Sequence, residues 1–473
     1  MLGQAHLSMG VCLSNRTWRT LLVAAILASG ANVNVVADAA RVTTLSAFSG
    51  VNGALPYAGL HLANDGNFYG TTFQGGVNGP PFGLGTVFRL TPSGVMTTLI
   101  SFSNATGTRP LAALAQGADG YLYGTTSQGG DSNSGTLFRI STNGSFTALL
   151  SFTNTNGARP SARLTLAHDG HFYGSTQLGG TNSQGTLFRV ATNGLLTTLV
   201  SFNGTNGANP YAEMIQGDDG HFYGTTVNGG NSDSGLVFRL TTNGTLTTLH
   251  QFNITDGADP YGGLVQGVSG VLYGTTAYGG QNGYGTVFRI TTNGTLTTLY
   301  TFTGGNDGAN PWASLIQGSD DSLYGTTILG GTTTTAGAWG TVFQIAIDGD
   351  FASLASFSFS TNGVSPYASL VQDGGGDLLG TTYSGGSGLK GTIFRITPAI
   401  QMLEASLGSG NKFQVAWDAW LGKVYQLQYR TNASLGDWLD FGLPLVATNS
   451  PMVIESSTGD PSRLFRVKMI VSP

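Results

Sequence analysis

"DGHFYGTTVNGGNSDSGLVFRLTTNGTLTTL" (Asp219–Leu249) decides the fold of this chain. Fifty residues earlier the sequence reads "DGHFYGSTQLGGTNSQGTLFRVATNGLLTTL" (Asp169–Leu199), and fifty later "SGVLYGTTAYGGQNGYGTVFRITTNGTLTTL" (Ser269–Leu299). A fixed period of this length is the mark of a repeat architecture. The anchor "YGTT" recurs at Tyr69, Tyr123, Tyr223, Tyr273 and Tyr324, as "YGST" at Tyr173 and as "LGTT" at Leu379. A second anchor, "GTVFR" or a close variant, starts at Gly85, Gly135, Gly185, Gly235, Gly285, Gly340 and Gly391. Both anchors give seven units.

The turns cut each unit into four short strands. In the fourth unit these are Tyr211–Gly217, His221–Val227, Leu236–Thr241 and Thr245–Phe252. An Asp-Gly turn at Asp219 separates the first pair, and Asn243-Gly244, a strong two-residue hairpin signal, the last. Four antiparallel strands, seven times over, predict a seven-bladed β-propeller; a solenoid of such long coils is the weaker alternative. The ends of the repeat region agree. "RVTTLSAF" (Arg41–Phe48) is a fourth strand with no unit before it, and the seventh unit stops after "GTIFRIT" (Gly391–Thr397) without one. The orphan strand fits the vacancy and removes an open sheet edge.

The "DGxxYGTTxxGG…GTVFR" pattern resembles the GloVer-type tandem repeat of exported choice-of-anchor proteins. That resemblance implies a secreted or surface-attached repeat protein and brings no catalytic residues. The sequence ends in "RLFRVKMIVSP", which lacks an apolar span followed by a basic cluster and so departs from an anchored form. Residues 400–473 read as a small β-sandwich of fibronectin or immunoglobulin type, with Trp417, Trp420 and Trp438 among alternating strands.

Composition narrows the function. Of 473 residues only 9 % are charged and 74 are glycine, with the glycines at fixed places between strand-like runs. Residues 1–39 read as a signal peptide: Arg16 and Arg19 precede the apolar "LLVAAILA", and "ADAA" (Ala37–Ala40) offers a cleavage site. The apolar run is too short to span a bilayer. The only cysteine, Cys12, precedes that run, so the exported chain has no thiol or disulfide chemistry. Losing Arg16, Arg19 and Asp38 takes the formal charge from −5 to −6. A mildly acidic chain without a basic stripe is a poor partner for nucleic acid, and a monomer outside the membrane is expected.

Candidate site residues lie where the units differ. The residue after the proline of each unit is Tyr57, Leu111, Ser161, Tyr211, Tyr261, Trp312 and Tyr367, on loops expected at the channel mouth. Aromatic rings there either stack on sugar or fasten each loop to the next blade. Two positions on, small residues give way to Arg163 and Glu213 in adjacent blades, either a structural ion pair or a polar patch for one ligand. Asp259 is the acid best placed to face Glu213, a weak basis for the two carboxylates of glycoside hydrolysis. The repeated arginines Arg89, Arg139, Arg189, Arg239, Arg289 and Arg395, with Gln344 the exception, read as structural, as do the turn aspartates Asp65, Asp119, Asp169 and Asp219. The histidines show no metal-ligand spacing. No cofactor is expected. The reading is therefore an exported propeller that binds a polysaccharide or an envelope or extracellular protein, through Arg163, Glu213, Tyr211, Asp259, Tyr261 and Trp312. Carbohydrate-acting enzyme and purely structural surface protein are the alternatives.

Overall fold

A computed structural model describes residues 40–470, apart from 80, 268–269, 333–338, 360–361, 398–401 and connections between the C-terminal strands. The expected signal peptide, with Cys12, Arg16 and Arg19, lies outside the described residues, as do Trp420 and Trp438. Among the described residues all regular structure is β.

Seven four-stranded antiparallel sheets follow one another along the chain, giving the seven-bladed β-propeller. Blade 4 comprises Ile215–Gln216, Phe222–Thr226, Leu236–Leu240 and Leu246–Gln251, paired in sequence order. The second, third and outer strands fall within a residue or two of their sequence-based bounds. The inner strand is shorter: the chain from Tyr211 to Met214 lines the axis without joining the ladder. In blade 7 the outer place is taken by Arg41–Ala47, which pairs with Thr392–Thr397 in the register Arg41↔Thr397 to Ala47↔Thr392. The N-terminal strand thus completes the last blade.

Blades are held by apolar packing from one sheet to the next. Tyr173, Leu187 and Phe202 of blade 3 and its exit loop bury against Met214, Phe222 and Phe238 of blade 4. The same set recurs where blade 7 meets blade 1, in Leu379, Ile393, Phe48, Leu60, Phe68 and Phe88. The glycine after each tyrosine serves this packing. A Cβ at Gly224 would stand 2.6 Å from the tip of the Phe238 ring and 3.0 Å from Met214.

Hydroxyls join neighbouring blades in the same way at five of the seven seams. Thr71 donates to Ala112 O (3.0 Å), Thr225 to Gly262 O (3.1 Å), Thr275 to Ala313 O (3.2 Å) and Thr326 to Ala368 O (3.3 Å). Thr381 of blade 7 donates to Ala58 O of blade 1 at 3.2 Å, a bond of one kind with the rest. Thr125 and Ser175, the equivalent hydroxyls on either side of blade 3, have no such partner.

The compact unit Arg41–Asp373 with Asp377–Thr397 is the propeller; the C-terminal strands belong to a second unit. There, Met402–Gly408, Lys412–Trp417 and Met452–Ser457 make one antiparallel sheet. Val424–Arg430 centres another, paired with Leu464–Ile470 on one edge. Two antiparallel sheets are what a β-sandwich is built from.

Candidate binding site at the channel mouth

Each unit enters its blade through a loop that carries a proline, and the residue before that proline has positive φ in all seven: Leu55, Arg109, Arg159, Asn209, Asp259, Asn310 and Ser365 lie between 52° and 55°. This is a costly conformation for side chains other than glycine. Two contacts impose it. The residue's N–H donates to the preceding blade, as Asn209 N does to Gln184 O at 2.8 Å. The proline that follows packs on the first glycine of the second anchor; a Cβ on Gly185 would lie 2.7 Å from Pro210 Cδ. The loop also bridges to the loop after the second strand, as Ala208 does to Asn228, so both variable segments share one end of the propeller.

The residue after the proline faces the axis there. Its neighbours on either side along the strand, such as Ala212 and Met214, are buried between blades, and alternation sends Tyr211 and Glu213 to the channel. Tyr211, Tyr261, Trp312, Tyr367 and Tyr57, from blades 4, 5, 6, 7 and 1, form a continuous arc. Ring centroids are 5.5 Å apart for Tyr211–Tyr261, 4.0 Å for Tyr261–Trp312 at an interplanar angle of 5°, and 5.2 Å for both Trp312–Tyr367 and Tyr367–Tyr57. Phe73 and Tyr383 widen the arc beside Tyr57. The rings remain half-buried. Trp312 Nε1 has no hydrogen-bond partner among the described residues.

Blades 2 and 3 interrupt the arc with Leu111 and Ser161, and there the residue before the proline is an arginine. Arg109 stands over the Phe73 ring at 5.3 Å, and Arg159 is exposed. The positive charge of the mouth is thereby gathered opposite its aromatic side. Electrostatics follow this layout. Burial pushes the Tyr261 hydroxyl up to about 12, with the Asp259 charge adding to it. Burial also raises Tyr211, against the pull of Arg159. Asp259 is held above the ordinary carboxylate value by burial and then by the Asp233 charge.

The sequence-based pairing of Arg163 with Glu213 is not formed. Arg163 turns the other way: Nε donates to Leu114 O of blade 2 at 3.1 Å, and Nη2 lies 3.2 Å from His61 Nδ1 of blade 1. Glu213 makes no ion pair among the described residues. Sequence reasoning missed His61, because histidines were weighed by metal-ligand spacing alone. The usable signal was its column in the repeat, where Ala115, Thr165, Ile215, Val265, Ile316 and Val371 are the equivalents and His61 alone is ionisable. His171 and His221, by contrast, are half-buried turn residues whose backbone N–H groups bond Asp169 and Asp219.

At the opposite end the repeated residues form a structural unit. The tyrosine of the first anchor donates to the turn aspartate four residues before it: Tyr69 to Asp65 (2.7 Å), Tyr123 to Asp119 (2.7 Å), Tyr173 to Asp169 (2.9 Å), Tyr223 to Asp219 (2.6 Å) and Tyr324 to Asp320 (2.8 Å). The arginine of the third strand sits opposite the tyrosine in register, as Arg239 does Tyr223. The exceptions keep the scheme. Gln344 replaces arginine and donates to both Asp320 (3.0 Å) and Tyr324 (3.1 Å). In blade 7, where Leu379 replaces tyrosine, Asp377 meets Arg395 at 3.7 Å instead.

Among the described residues no group of three or more His, Cys, Asp and Glu side chains is placed to hold a metal, and no helix is long and apolar enough to cross a membrane. The chain is a seven-bladed propeller built of tandem repeats with an asymmetric mouth. It belongs to the Gloeobacter/Verrucomicrobia repeat family, which matches residues 28–218, 145–335 and 211–414 in overlapping spans. No curated protein matches. Among solved structures, a "putative 6-phosphogluconolactonase" of Bacteroides fragilis is similar at 15 % identity and TM-score 0.44, over 84 % of this chain and 96 % of that one. One from Bacteroides uniformis is similar at 17 % and 0.44, over 80 % and 96 %. Puromycin hydrolase is similar at 11 % and 0.44, over 79 % and 60 %.

Proposed function

We propose that this chain is an exported binding module that takes a polysaccharide at the channel mouth. The aromatic arc from Tyr211 through Tyr261, Trp312 and Tyr367 to Tyr57 carries this reading. Sugar rings present an apolar C–H face and a hydroxyl edge, and a half-buried aromatic with a free polar handle suits both. Arg109 and Arg159 on the facing side offer donors to hydroxyl or acidic substituents.

Incubation of the purified chain with a panel of polysaccharides tests this, recording protein depleted from solution and reducing ends released. Depletion without release, weakened at least tenfold by Trp312→Ala, is the expected result. Release of reducing ends identifies an enzyme and makes Glu213 and Asp259 the first residues to replace. No depletion by any polysaccharide overturns the reading.

A further inference from the structure

The wall of the channel below the mouth carries an arrangement that the mouth does not explain. Arg163 is the one cation on the axis-facing positions of the inner strands, and it reaches past blade 2 to His61 of blade 1. Ala113, the small residue of blade 2 at the Arg163 position, leaves room for that reach. Both polar side chains are half-buried, while Leu60 and Leu164, their neighbours along the strand, are packed into the core between blades.

The hydrogen-bond inventory of this pair is one-sided. A guanidinium has five N–H donors and no acceptor. Its Nη2 can only donate to His61 Nδ1, so the ring proton of His61 sits on Nε2. That Nε2–H is buried and has no partner among the described residues. Burial, and then the Arg163 charge, push His61 down to about 4, so the ring is neutral at pH 7. Among the described residues Arg163 forms no ion pair, and Glu213, the acid of its layer, does not pair with it. Nearer the mouth, Ser161 Oγ and Trp312 Nε1 are likewise buried without partners, and both can donate. A half-buried charge is costly without an acceptor; because His61 Nε2–H points away from the guanidinium bonded at Nδ1, an acceptor that enters from the channel serves the unused N–H groups of Arg163. A planar carboxylate fits a guanidinium fork best.

We propose that Arg163, held in place by His61, forms a carboxylate-binding site on the channel wall. The ligand taken at the mouth is then an acidic saccharide, whose uronate group enters here; this second statement rests on the saccharide reading, and the first does not. Axis-facing positions two residues apart along a strand are about 6.6 Å apart. The arc and Arg163 therefore lie roughly one sugar ring from each other in depth.

Two measurements on the full chain test the site and the saccharide separately. In the first, 15N-histidine-labelled protein is titrated with sodium acetate against chloride at constant ionic strength, following the His61 Nε2–H resonance. A saturable shift is expected, weakened about tenfold or more in Arg163→Gln, since a charge-assisted hydrogen bond is lost. No saturable shift, or the same shift in a folded Arg163→Gln, overturns the site. In the second, calorimetry compares tetragalacturonate with its methyl ester. The acid should bind about tenfold more tightly than the ester, and Arg163→Gln should bring the ratio close to one. His61→Phe serves as the second variant should Arg163→Gln fail to fold, and an undiminished ratio in it counts against the site. Acetate saturation without binding of either saccharide upholds the site and removes the saccharide. Equal binding of acid and ester without acetate saturation does the reverse.

Discussion

The two ends of the propeller are made from the same seven units and differ in kind. At the hairpin end, a tyrosine–aspartate bond of nearly constant length recurs in five blades, and the departures at Gln344 and Leu379 are compensated within their blades. At the mouth nothing compensates: Leu111 and Ser161 interrupt the arc, and Arg163 leaves its own blade for His61. Identical demands on seven positions give identical residues. A site for one ligand lets the units differ, because only one ligand can occupy the axis.

Mutations separate these two kinds of demand. The largest loss of stability is expected from Gly235→Val, at an anchor common to all blades. Its φ is +86°, and a Cβ would fall 2.2 Å from Thr226 O and 2.7 Å from Pro260 Cδ. Left-handed strain and overpacking together amount to about 3 kcal/mol, read as a fall in chemical-denaturation midpoint.

Trp312→Ala should do the opposite, lowering affinity for the bound polysaccharide about tenfold or more while the melting temperature moves little. A mutant that melts early and still binds fully would place Trp312 among the structural residues.

Tyr223→Phe removes the hydroxyl bonded to Asp219 at 2.6 Å. A loss of about 1 kcal/mol is expected, with binding at the mouth unchanged.

The same tyrosines predict the alkaline limit. Burial, and then the bond to the aspartate, raise Tyr123 and Tyr173 from 10.0 to about 12. Their contribution is full below pH 10 and is lost as pH climbs through about 12. Near-ultraviolet titration should show their ionisation delayed until the chain unfolds. At the acid side, burial opposes ionisation of Asp219, but the Tyr223 hydroxyl, the His221 N–H and nearby positive charge outweigh it and hold the carboxyl below 3.8. That contribution is present above pH 3.8 and fades as pH falls through the lowered value.

The smallest effect is a gain. Leu55→Gly relieves a φ of 55°, worth about 1–2 kcal/mol less about 0.5–1 kcal/mol of glycine backbone entropy. A melting temperature raised by a degree or more is the expected outcome.

Much of this was legible in the sequence because the repeat prints each structural demand seven times. The blade count, the outer three strands and the closing strand Arg41–Ala47 all followed from it. The inner strand was overdrawn, since Tyr211–Gly217 alternates like a strand. Only Ile215–Gln216 pairs, because the left-handed residue and proline ahead of it turn the chain toward the axis. The Tyr–Asp bond was written in the constant four-residue spacing of the two. The Arg163–His61 contact was not, because it joins units 102 residues apart and depends on one side chain passing an intervening blade. Neighbours in the repeat were a natural guess for partners, and the guanidinium chose the second neighbour.

The closing strand also sets an order of events. Ala58 and Thr381, bonded across the ring seam, are 323 residues apart in the chain. Six blades can pack as they are made, each against the one before. Arg41–Ala47 has to wait, unpaired, until Thr392–Thr397 exists. Contacts of such long range are slow to form, so the seam is the last part of the molecule to assemble. A chain stopped short of Thr392 would keep two exposed edges at once, its own last sheet and the strand meant to cover it.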